Sequence, residues 1–336
     1  MRKYLSSIFS SKTVNEIGPA PRAFVVTIAL ALLLFAMAEG VSRAIVRKVG
    51  RRWEYWDKIA AVKFEDYRTR VSSNAGPDIV IIGDSTAARD LDPRSMARDH
   101  LAGKDIYNLA WPANFPLAFR VTTLPLLREP YQEPRIVLAS FTPASFTENP
   151  RVSEFEQEIL TSTYCQHLLG NHSFADNFFL PRLRNAMPFI HDNFEPNQEF
   201  NELRKNRGFM PSESVIEVDR TADSATSAPQ IVGSRFDVLI ELAELSRQRK
   251  FELYILIPPV SPALEASTAA TYQRYLSLLE SAQQKYGFTI LDRHHTDFLT
   301  DEYFTDGIHL TRAGAKLFSS TLSREFESKS QPQRQF

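Results

Sequence analysis

The sequence predicts an α/β protein in which a parallel sheet of about five strands carries helices on both faces, preceded by one N-terminal transmembrane helix. Short, almost continuously apolar runs alternate with segments of helical periodicity, and such runs are typical of strands covered on both faces. This alternation favours a parallel, doubly wound sheet. A long apolar stretch near the N-terminus has the length of a membrane-spanning helix.

The N-terminal apolar stretch predicts a membrane anchor. Residues 23–46 are mostly apolar, with Glu39 and Arg43 as the only charges, and residues 23–38 carry none. At about 1.5 Å per residue, the longer segment spans about 36 Å, enough for a tilted crossing of a bilayer. A cleaved signal peptide is the alternative, because Ala36-Met37-Ala38 fits the pattern of a cleavage site. We favour the anchor, since helical character continues beyond that site.

Charge is unevenly distributed along the chain. The 39 Lys and Arg residues nearly balance the 40 Asp and Glu residues, but the first 52 positions hold nine basic and only two acidic residues. Basic residues flank the apolar stretch on both sides, so their count does not orient it in a membrane. The rest of the chain is acidic, and an acidic surface repels phosphate. We therefore expect no nucleic acid partner. The single cysteine, Cys165, excludes an intramolecular disulfide.

Composition and periodicity suggest a domain organisation. We divide the chain into a basic leader (1–22), the transmembrane helix or uncleaved signal anchor (23–46), a linker or helical stem (47–76), an α/β domain (77–326) and a flexible tail (327–336). Within the α/β domain, residues 150–230 break the strand–helix alternation and form an insertion. We interpret this insertion as a lid or a partner surface, with a plain structural extension as the alternative.

The strands and helices of the α/β domain follow from apolar spacing. The predicted strands are 78–83, 105–110, 135–141, 252–258 and 289–293. Residues 236–249 and 271–286 have apolar side chains at spacings of three and four, which predicts helices. Thr311 is the predicted N-cap of a final helix that ends near Phe326.

The first predicted strand ends in Gly83-Asp84-Ser85. Ligands of open α/β sheets bind outside the carboxyl ends of the strands, so Ser85 occupies a position where chemistry takes place. The alternative is ordinary turn chemistry, in which glycine allows a tight bend and Asp or Ser caps the next helix.

A second cluster of reactive side chains, Asp306 and His309, follows the last strand. A serine hydroxyl needs a base to accept its proton, and an imidazole base needs a carboxylate to fix its tautomer. If the two loops meet at one edge of the sheet, the pair supplies both groups to Ser85. A solvated loop is the alternative for this segment taken singly.

Together, the two segments resemble the SGNH (GDSL-type) hydrolase family. The resemblance covers about residues 77–326 and rests on Gly-Asp-Ser and on the closing Asp-Gly-Ile-His-Leu-Thr-Arg-Ala-Gly. It implies a flavodoxin-like sheet, with Ser85 as the nucleophile, His309 as the general base and Asp306 as the acid that orients it.

The segments that would supply the oxyanion hole match the sequence blocks of that family less well. Its second block carries a glycine where this chain has Ala110, and its third block usually reads Gly-x-Asn-Asp, whereas residues 139–143 contain no asparagine. The candidate donors are the N–H groups of Ser85 and Ala110 and the side chains of Asn108 and Asn114. An incomplete hole predicts slow hydrolysis or an acceptor other than water.

No motif in the chain predicts a cofactor or a metal ion. Phosphate loops, dinucleotide fingerprints, CxxC pairs and HExxH are absent from the sequence. His294, His295 and Asp297 are a weak metal candidate, because neighbouring residues of an extended chain point in different directions. We interpret them as a surface loop.

The membrane segment, the triad pattern and the insertion together resemble anchored SGNH proteins that modify bacterial envelope polymers beside membrane-bound O-acyltransferases. That resemblance implies a serine acyltransferase that moves an acyl group, which we take to be acetyl, onto a polysaccharide hydroxyl outside the cytoplasm. An esterase or deacetylase of the same type is one alternative. A non-catalytic accessory subunit of a membrane-bound O-acyltransferase is the other.

Overall fold

The computed structural model describes residues 19–49, 55–73, 75–129, 134–169, 198–212 and 230–330. The described residues fall into two units. One is helix α1 (Pro19–Val49), and the other comprises the remaining described residues. Most of the predicted insertion, the leader up to residue 18 and the last six residues lie outside the described ranges.

Helix α1 contains the whole segment that was predicted to cross a membrane. Its window Ala23–Val41 has a mean hydropathy of 2.4 over 19 residues, which is long and apolar enough for a membrane span by length and composition, although a signal sequence has the same properties. Large apolar side chains are exposed along it, including Phe24 at 67% and Leu34 at 65%. The helical state is confirmed, and the membrane crossing stays a prediction.

The second unit is built on one parallel sheet. Its strands are β1 (Ile79–Gly83), β2 (Ile106–Asn108), β3 (Ile136–Ser140), β4 (Glu252–Ile257) and β5 (Thr289–Asp292). They lie in the order β2-β1-β3-β4-β5, and every neighbouring pair is parallel. The predicted fold class is therefore confirmed. Because the chain leaves β1 toward β2 on one side and later enters β3 on the other, the carboxyl end of β1 lies at the switch point of the sheet, where such folds bind ligands.

Helices cover both faces of the sheet. They are α2 (Tyr55–Ser72), α3 (Ser85–Asp90), α4 (Pro93–Asp99), α5 (Pro116–Arg128), α6 (Pro150–Thr161), α7 (Thr163–Leu168), α8 (Gln198–Lys205), α9 (Gly233–Arg249), α10 (Pro262–Tyr286) and α11 (Arg312–Ser330). Alternate residues of β1 separate the two cores. Val80 and Ile82 pack with α2, α5, α9 and α10, whereas Ile79 and Ile81 pack with α3, α4 and α11. Strand β1 is thus buried on both faces, which explains its uninterrupted apolar run.

Two predicted helices differ from the structure at their ends. Helix α10 begins at Pro262 rather than Thr271, because its first turns are exposed or half-buried and show no apolar spacing. Helix α11 begins after Thr311, whose hydroxyl accepts a hydrogen bond from the Gly314 N–H (3.2 Å), as expected of an N-cap. It continues to Ser330, and so enters the segment that was predicted to be a flexible tail.

Helix α2 lies in the segment 47–76, which was predicted to be a linker or a helical stem. Ile59 and Phe64 are fully buried in the core beside the sheet. Lys63 is also fully buried, and its amino group donates to the carbonyl of Ala110. Burial lowers the pKa of Lys63 well below its usual value. Helix α2 therefore packs in the same unit as the sheet. The sequence did not indicate this packing, because the buried residues of the segment are interspersed with many charged ones.

Candidate active site

The turn that carries Ser85 is shaped by a close approach of two strands. Gly83 ends β1 with φ +142°, and a Cβ atom at this position would lie 1.8 Å from the carbonyl oxygen of Ser140 in β3. Only glycine fits there. The next residue, Asp84, caps α3, and Ser85 is the first residue of that helix. The half-buried Ser85 thus lies at the carboxyl edge of the sheet, as the motif predicted.

Asp84 has a larger role than the cap that the sequence suggested. Its Oδ1 accepts hydrogen bonds from the N–H and hydroxyl of Thr86, at 2.9 and 2.7 Å. Its Oδ2 accepts from the N–H and hydroxyl of Thr142 and from the hydroxyl of Ser145, at 2.9, 3.0 and 2.8 Å. The fully buried carboxyl group therefore ties the nucleophile turn to the segment after β3. Sequence spacing has no signal for this link, since the partners are about sixty residues away.

The structure brings Ser85, His309 and Asp306 into one chain of hydrogen bonds. The hydroxyl of Ser85 lies 2.7 Å from His309 Nε2, and His309 Nδ1 lies 2.6 Å from Asp306 Oδ2. The carboxylate of Asp306 holds the imidazole proton on Nδ1, so Nε2 is the acceptor for the serine proton. This is the arrangement that the sequence predicted, and the catalytic roles of the three residues stay a prediction.

The acid–base loop is itself tightly held. Asp306 Oδ1 accepts from the backbone N–H of His309 (2.9 Å) and of Ile308 (3.2 Å). Thr305 N–H donates to the His309 carbonyl at 2.7 Å, so the loop closes on itself. Burial acts to raise the pKa of Asp306, but the hydrogen bonds and the charge of His309 outweigh it, and the pKa is lowered. The ionised carboxylate is the form that stabilises an imidazolium.

The predicted oxyanion donors Ala110, Asn108 and Asn114 need correction. The amide of Asn108 donates to the carbonyls of Ala87 (2.8 Å) and Leu91 (2.9 Å), and its oxygen accepts from the Ala110 N–H (3.1 Å). Asn108 thus braces α3 against β2, and it bends the chain so that β2 ends two residues earlier than predicted.

The amide of Asn114 is engaged in the same way. It donates to the carbonyl of Gly83 and to the hydroxyl of Thr123, both at 3.1 Å. All three predicted donors therefore have internal acceptors. Their residue types suit an oxyanion hole, but here they position the turn that follows β2.

Two other backbone N–H groups at this edge are differently placed. Ser85 is the first residue of α3, so its N–H has no acceptor within the helix. Ala113 has φ +61°, a left-handed conformation that costs a non-glycine residue about 1–2 kcal/mol. Within the described residues neither N–H meets an acceptor. The sequence had no signal for Ala113, because a positive φ at alanine depends on its surroundings.

Residues 206–212, which lie within the predicted insertion, reach the same edge of the sheet. Met210 N–H donates to the carbonyl of Ala88 in α3 (3.0 Å), and Ser212 forms a parallel bridge with Thr311, two residues after His309. Residues 206–212 therefore line the elements that carry Ser85 and His309. Residues 170–197 and 213–229 of the predicted insertion lie outside the described ranges.

The predicted surface loop at 294–297 has one buried and one exposed histidine. His294 is buried and stacks on Tyr272 with ring centroids 4.0 Å apart, whereas the exposed His295 lies between Glu265 and Asp297. In the described part of the chain, no cluster of three or more His, Cys, Asp or Glu side chains is arranged to hold a metal ion.

The sequence matches no family model and no curated protein. Solved structures do resemble the chain. A GDSL-like lipase from Bacteroides thetaiotaomicron is 12% identical over 80% of this chain and 98% of its own, with a TM-score of 0.35. A family two carbohydrate esterase from Clostridium thermocellum in complex with cellohexaose is 12% identical over 75% of this chain and 63% of its own, with a TM-score of 0.36. A carbohydrate acetylesterase family member from Sinorhizobium meliloti is 11% identical over 74% of this chain and 99% of its own, with a TM-score of 0.32. The chain is thus similar, at low identity, to lipases of the GDSL type and to carbohydrate esterases.

Proposed function

We propose that this chain is a membrane-anchored serine acyltransferase of the SGNH type. The observation that carries the proposal is the chain of short hydrogen bonds from Ser85 through His309 to Asp306. A protein that kept only the fold for binding would have no need of this arrangement, so we prefer an enzyme to a non-catalytic accessory subunit.

In the first half of the proposed reaction, Ser85 Oγ attacks the carbonyl carbon of an acyl donor. His309 Nε2 accepts the serine proton as the new bond forms, and Asp306 stabilises the resulting imidazolium. When the tetrahedral intermediate collapses, the bond to the leaving group breaks and His309 returns the proton to that group. The products are acyl-Ser85 and the free leaving group, with His309 neutral again.

In the second half, the hydroxyl of an acceptor attacks acyl-Ser85. His309 takes the hydroxyl proton and then delivers it to Ser85 Oγ as the ester to the acceptor forms. Water in place of the acceptor gives hydrolysis by the same steps, so the two outcomes differ only in what reaches the intermediate. Residues 206–212 lie beside α3 and the His309 loop, and in this proposal they form a wall that favours a bulky acceptor over water.

In this proposal, the N–H groups of Ser85 and Ala113 stabilise the oxyanion of both tetrahedral intermediates. They are backbone donors near the carboxyl end of β1, and the Ala113 turn is tied to that strand through the bond from Asn114 to the carbonyl of Gly83. Each such donor contributes about 3–4 kcal/mol to transition-state stabilisation.

The length and apolarity of α1 support a role at a membrane. An enzyme that clears a soluble ester has no need of an anchor, whereas transfer from a membrane-bound donor to an envelope polymer does. We therefore propose a polysaccharide hydroxyl as the acceptor, an acetyl group as the cargo and a membrane-bound O-acyltransferase as the partner that supplies it. The α/β domain would then work outside the cytoplasm, in the periplasm of a bacterium.

Transfer is tested with the full chain in detergent, an activated acetyl ester and an acidic or neutral exopolysaccharide. We expect acetylated polymer to form in a Ser85-dependent reaction, with less acetate released per ester consumed than without polymer. The Ser85→Ala variant is the control for uncatalysed acetylation. Acetate release at an unchanged rate with no acetylated polymer would exclude transfer onto the polymer tested. It would favour the esterase alternative.

Membrane orientation is tested with a cysteine introduced near the C-terminus in intact cells. The native Cys165 is buried, so it contributes little background. We expect a membrane-impermeant maleimide to label the introduced cysteine from the outer side of the cytoplasmic membrane. Labelling only after the cytoplasm is opened would contradict the extracytoplasmic placement.

A further inference from the structure

Asp90 is a buried carboxyl group that belongs to neither the triad nor the nucleophile turn. It is the last residue of α3 and is only 1% exposed. Its Oδ1 accepts a hydrogen bond from the backbone N–H of Leu310 at 2.8 Å. Leu310 follows His309 directly, so Asp90 holds the acid–base loop one residue away from the imidazole.

Helix α3 therefore contacts that loop at both of its ends. At its first residue, the Ser85 hydroxyl meets His309 Nε2, and at its last residue, Asp90 meets the Leu310 N–H. The two ends of α3 are about 7.5 Å apart, which is too short a distance for a helix to bend appreciably. We propose that Asp90 is a positioning residue that sets the distance between His309 and Ser85. The inference rests on the proposed function, because that distance has a consequence only if Ser85 reacts.

Helix α11 holds the backbone next to Asp90 in place through Ser319. The hydroxyl of Ser319 in α11 donates to the Asp90 carbonyl (3.3 Å) and accepts from the Asp92 N–H (2.7 Å). Helix α11 begins at Arg312, directly after the His309 loop. One helix thus holds the end of α3 and continues the loop that Asp90 binds, so the catalytic elements form a closed ring of contacts.

The surroundings of Asp90 favour its neutral form. Its Oδ2 is buried and has no hydrogen-bond partner among the described residues. Burial raises its pKa well above the usual value; the charges of Asp306 and Asp84 raise it further, while the Leu310 N–H and Arg89 act against them. A neutral carboxyl group still accepts a hydrogen bond from Leu310, and it places no second negative charge near Asp306. The imidazolium that forms on His309 is then stabilised by Asp306 alone.

The test compares three variants of the full chain in detergent. Asp90→Ala removes the acceptor for the Leu310 N–H, and Asp90→Asn keeps a neutral acceptor of the same shape. Asp92→Ala is the matched control. Asp92 is also a buried carboxyl group (5% exposed), but its side-chain oxygens accept from Arg94 N–H and the Ser95 hydroxyl in α4 rather than from the His309 loop, and the substitution keeps its backbone N–H. The two readouts are the rate of Ser85 labelling by a fluorophosphonate and the deuterium exchange of backbone amides in 305–312.

We expect Asp90→Ala to label about 10- to 100-fold more slowly, since a small displacement of a catalytic group has an effect of that size. Labelling of Asp90→Asn should stay within about twofold of the wild-type rate, as should that of Asp92→Ala. Exchange in 305–312 should accelerate only in Asp90→Ala. Wild-type labelling by a folded Asp90→Ala would overturn the positioning role. Slow labelling of the Asp90→Asn variant would overturn the inference that the Asp90 carboxyl group is neutral.

Exchange separates this inference from the proposed function. If the wild-type chain shows no Ser85-dependent labelling, the proposed function fails. The exchange data alone then decide whether Asp90 holds the loop 305–312 in place. Faster exchange in 305–312 confined to Asp90→Ala would then support its hold on the loop. Equal exchange in Asp90→Ala and Asp92→Ala would overturn it.

Discussion

We expect Ser85→Ala to abolish covalent labelling by a fluorophosphonate and to lower the turnover of an activated acetyl ester by at least about 10³-fold. The physical reason is that the hydroxyl of Ser85 is the group that His309 is placed to deprotonate. Ser85 Oγ is the atom that His309 Nε2 faces at 2.7 Å, and an alanine leaves the imidazole without a proton to accept. Labelling is followed by in-gel fluorescence of the full chain, and turnover by release of the chromophore.

Matched controls make this result specific. Ser277→Ala changes an exposed serine of α10, and we expect labelling at the wild-type rate. His309→Gln should label as poorly as Ser85→Ala, whereas His295→Gln, at an exposed histidine, should label normally. Persistent labelling of Ser85→Ala would mean that the reactive group lies elsewhere. Loss of labelling in the two control variants as well would point to a general defect in folding.

Breaking the buried ion pair between Arg235 and Glu156 destabilises the domain by about 3–5 kcal/mol. The side chains are 6% and 3% exposed, and Arg235 Nε and Nη2 lie 2.9 and 2.7 Å from Glu156 Oε2. Arg235 also donates to the carbonyl of Thr147, and Glu156 accepts from the Leu117 N–H at 2.9 Å. The pair therefore joins α6, at the start of the insertion, to α9 and α5. Loss of either partner leaves an uncompensated charge in the core.

The measurement is urea denaturation of Arg235→Met, Glu156→Leu and the double variant. The double variant should be more stable than either single one, since it leaves no unpaired buried charge. Arg68→Met is the control, because its pair with Glu129 (2.8 Å) is partly exposed and should contribute less than about 1 kcal/mol. Single variants as stable as Arg68→Met would contradict the prediction, as would a double variant no better than the singles.

Local patterns predicted the scaffold well. Each strand is an apolar run, and β1, β3, β4 and β5 begin and end within about one residue of their predicted bounds. The Gly-Asp-Ser turn and the Asp306–His309 spacing were visible for the same reason, because each belongs to one short loop with its own chemistry. Their meeting at one edge followed from the parallel order of the strands.

The surroundings of the nucleophile were not predictable in this way. Asn108 and Asn114 have side chains that suit an oxyanion hole, and only their acceptors in the folded chain show that they brace the turn instead. Helix α2 was predicted as a linker or helical stem, and no pattern in its sequence indicates that Lys63 reaches the carbonyl of Ala110. No pattern in the sequence indicates a role for Asp90, since its partner Leu310 is 220 residues away.

By itself, the sequence determined the parallel α/β sheet, the apolar N-terminal helix and which three side chains, Ser85, His309 and Asp306, to expect in one hydrogen-bonded chain. These depend on short-range properties: apolar periodicity, turn chemistry and the reactivity of single side chains. Only the tertiary structure decided which polar groups brace the turns through internal hydrogen bonds. A hydrogen-bond donor binds few acceptors, and folding determines which acceptors lie next to it. The hydrogen-bond partners of Asn108, Asp84 and Asp90 are therefore known only from the folded structure, in which β1, α3 and the His309 loop lie together.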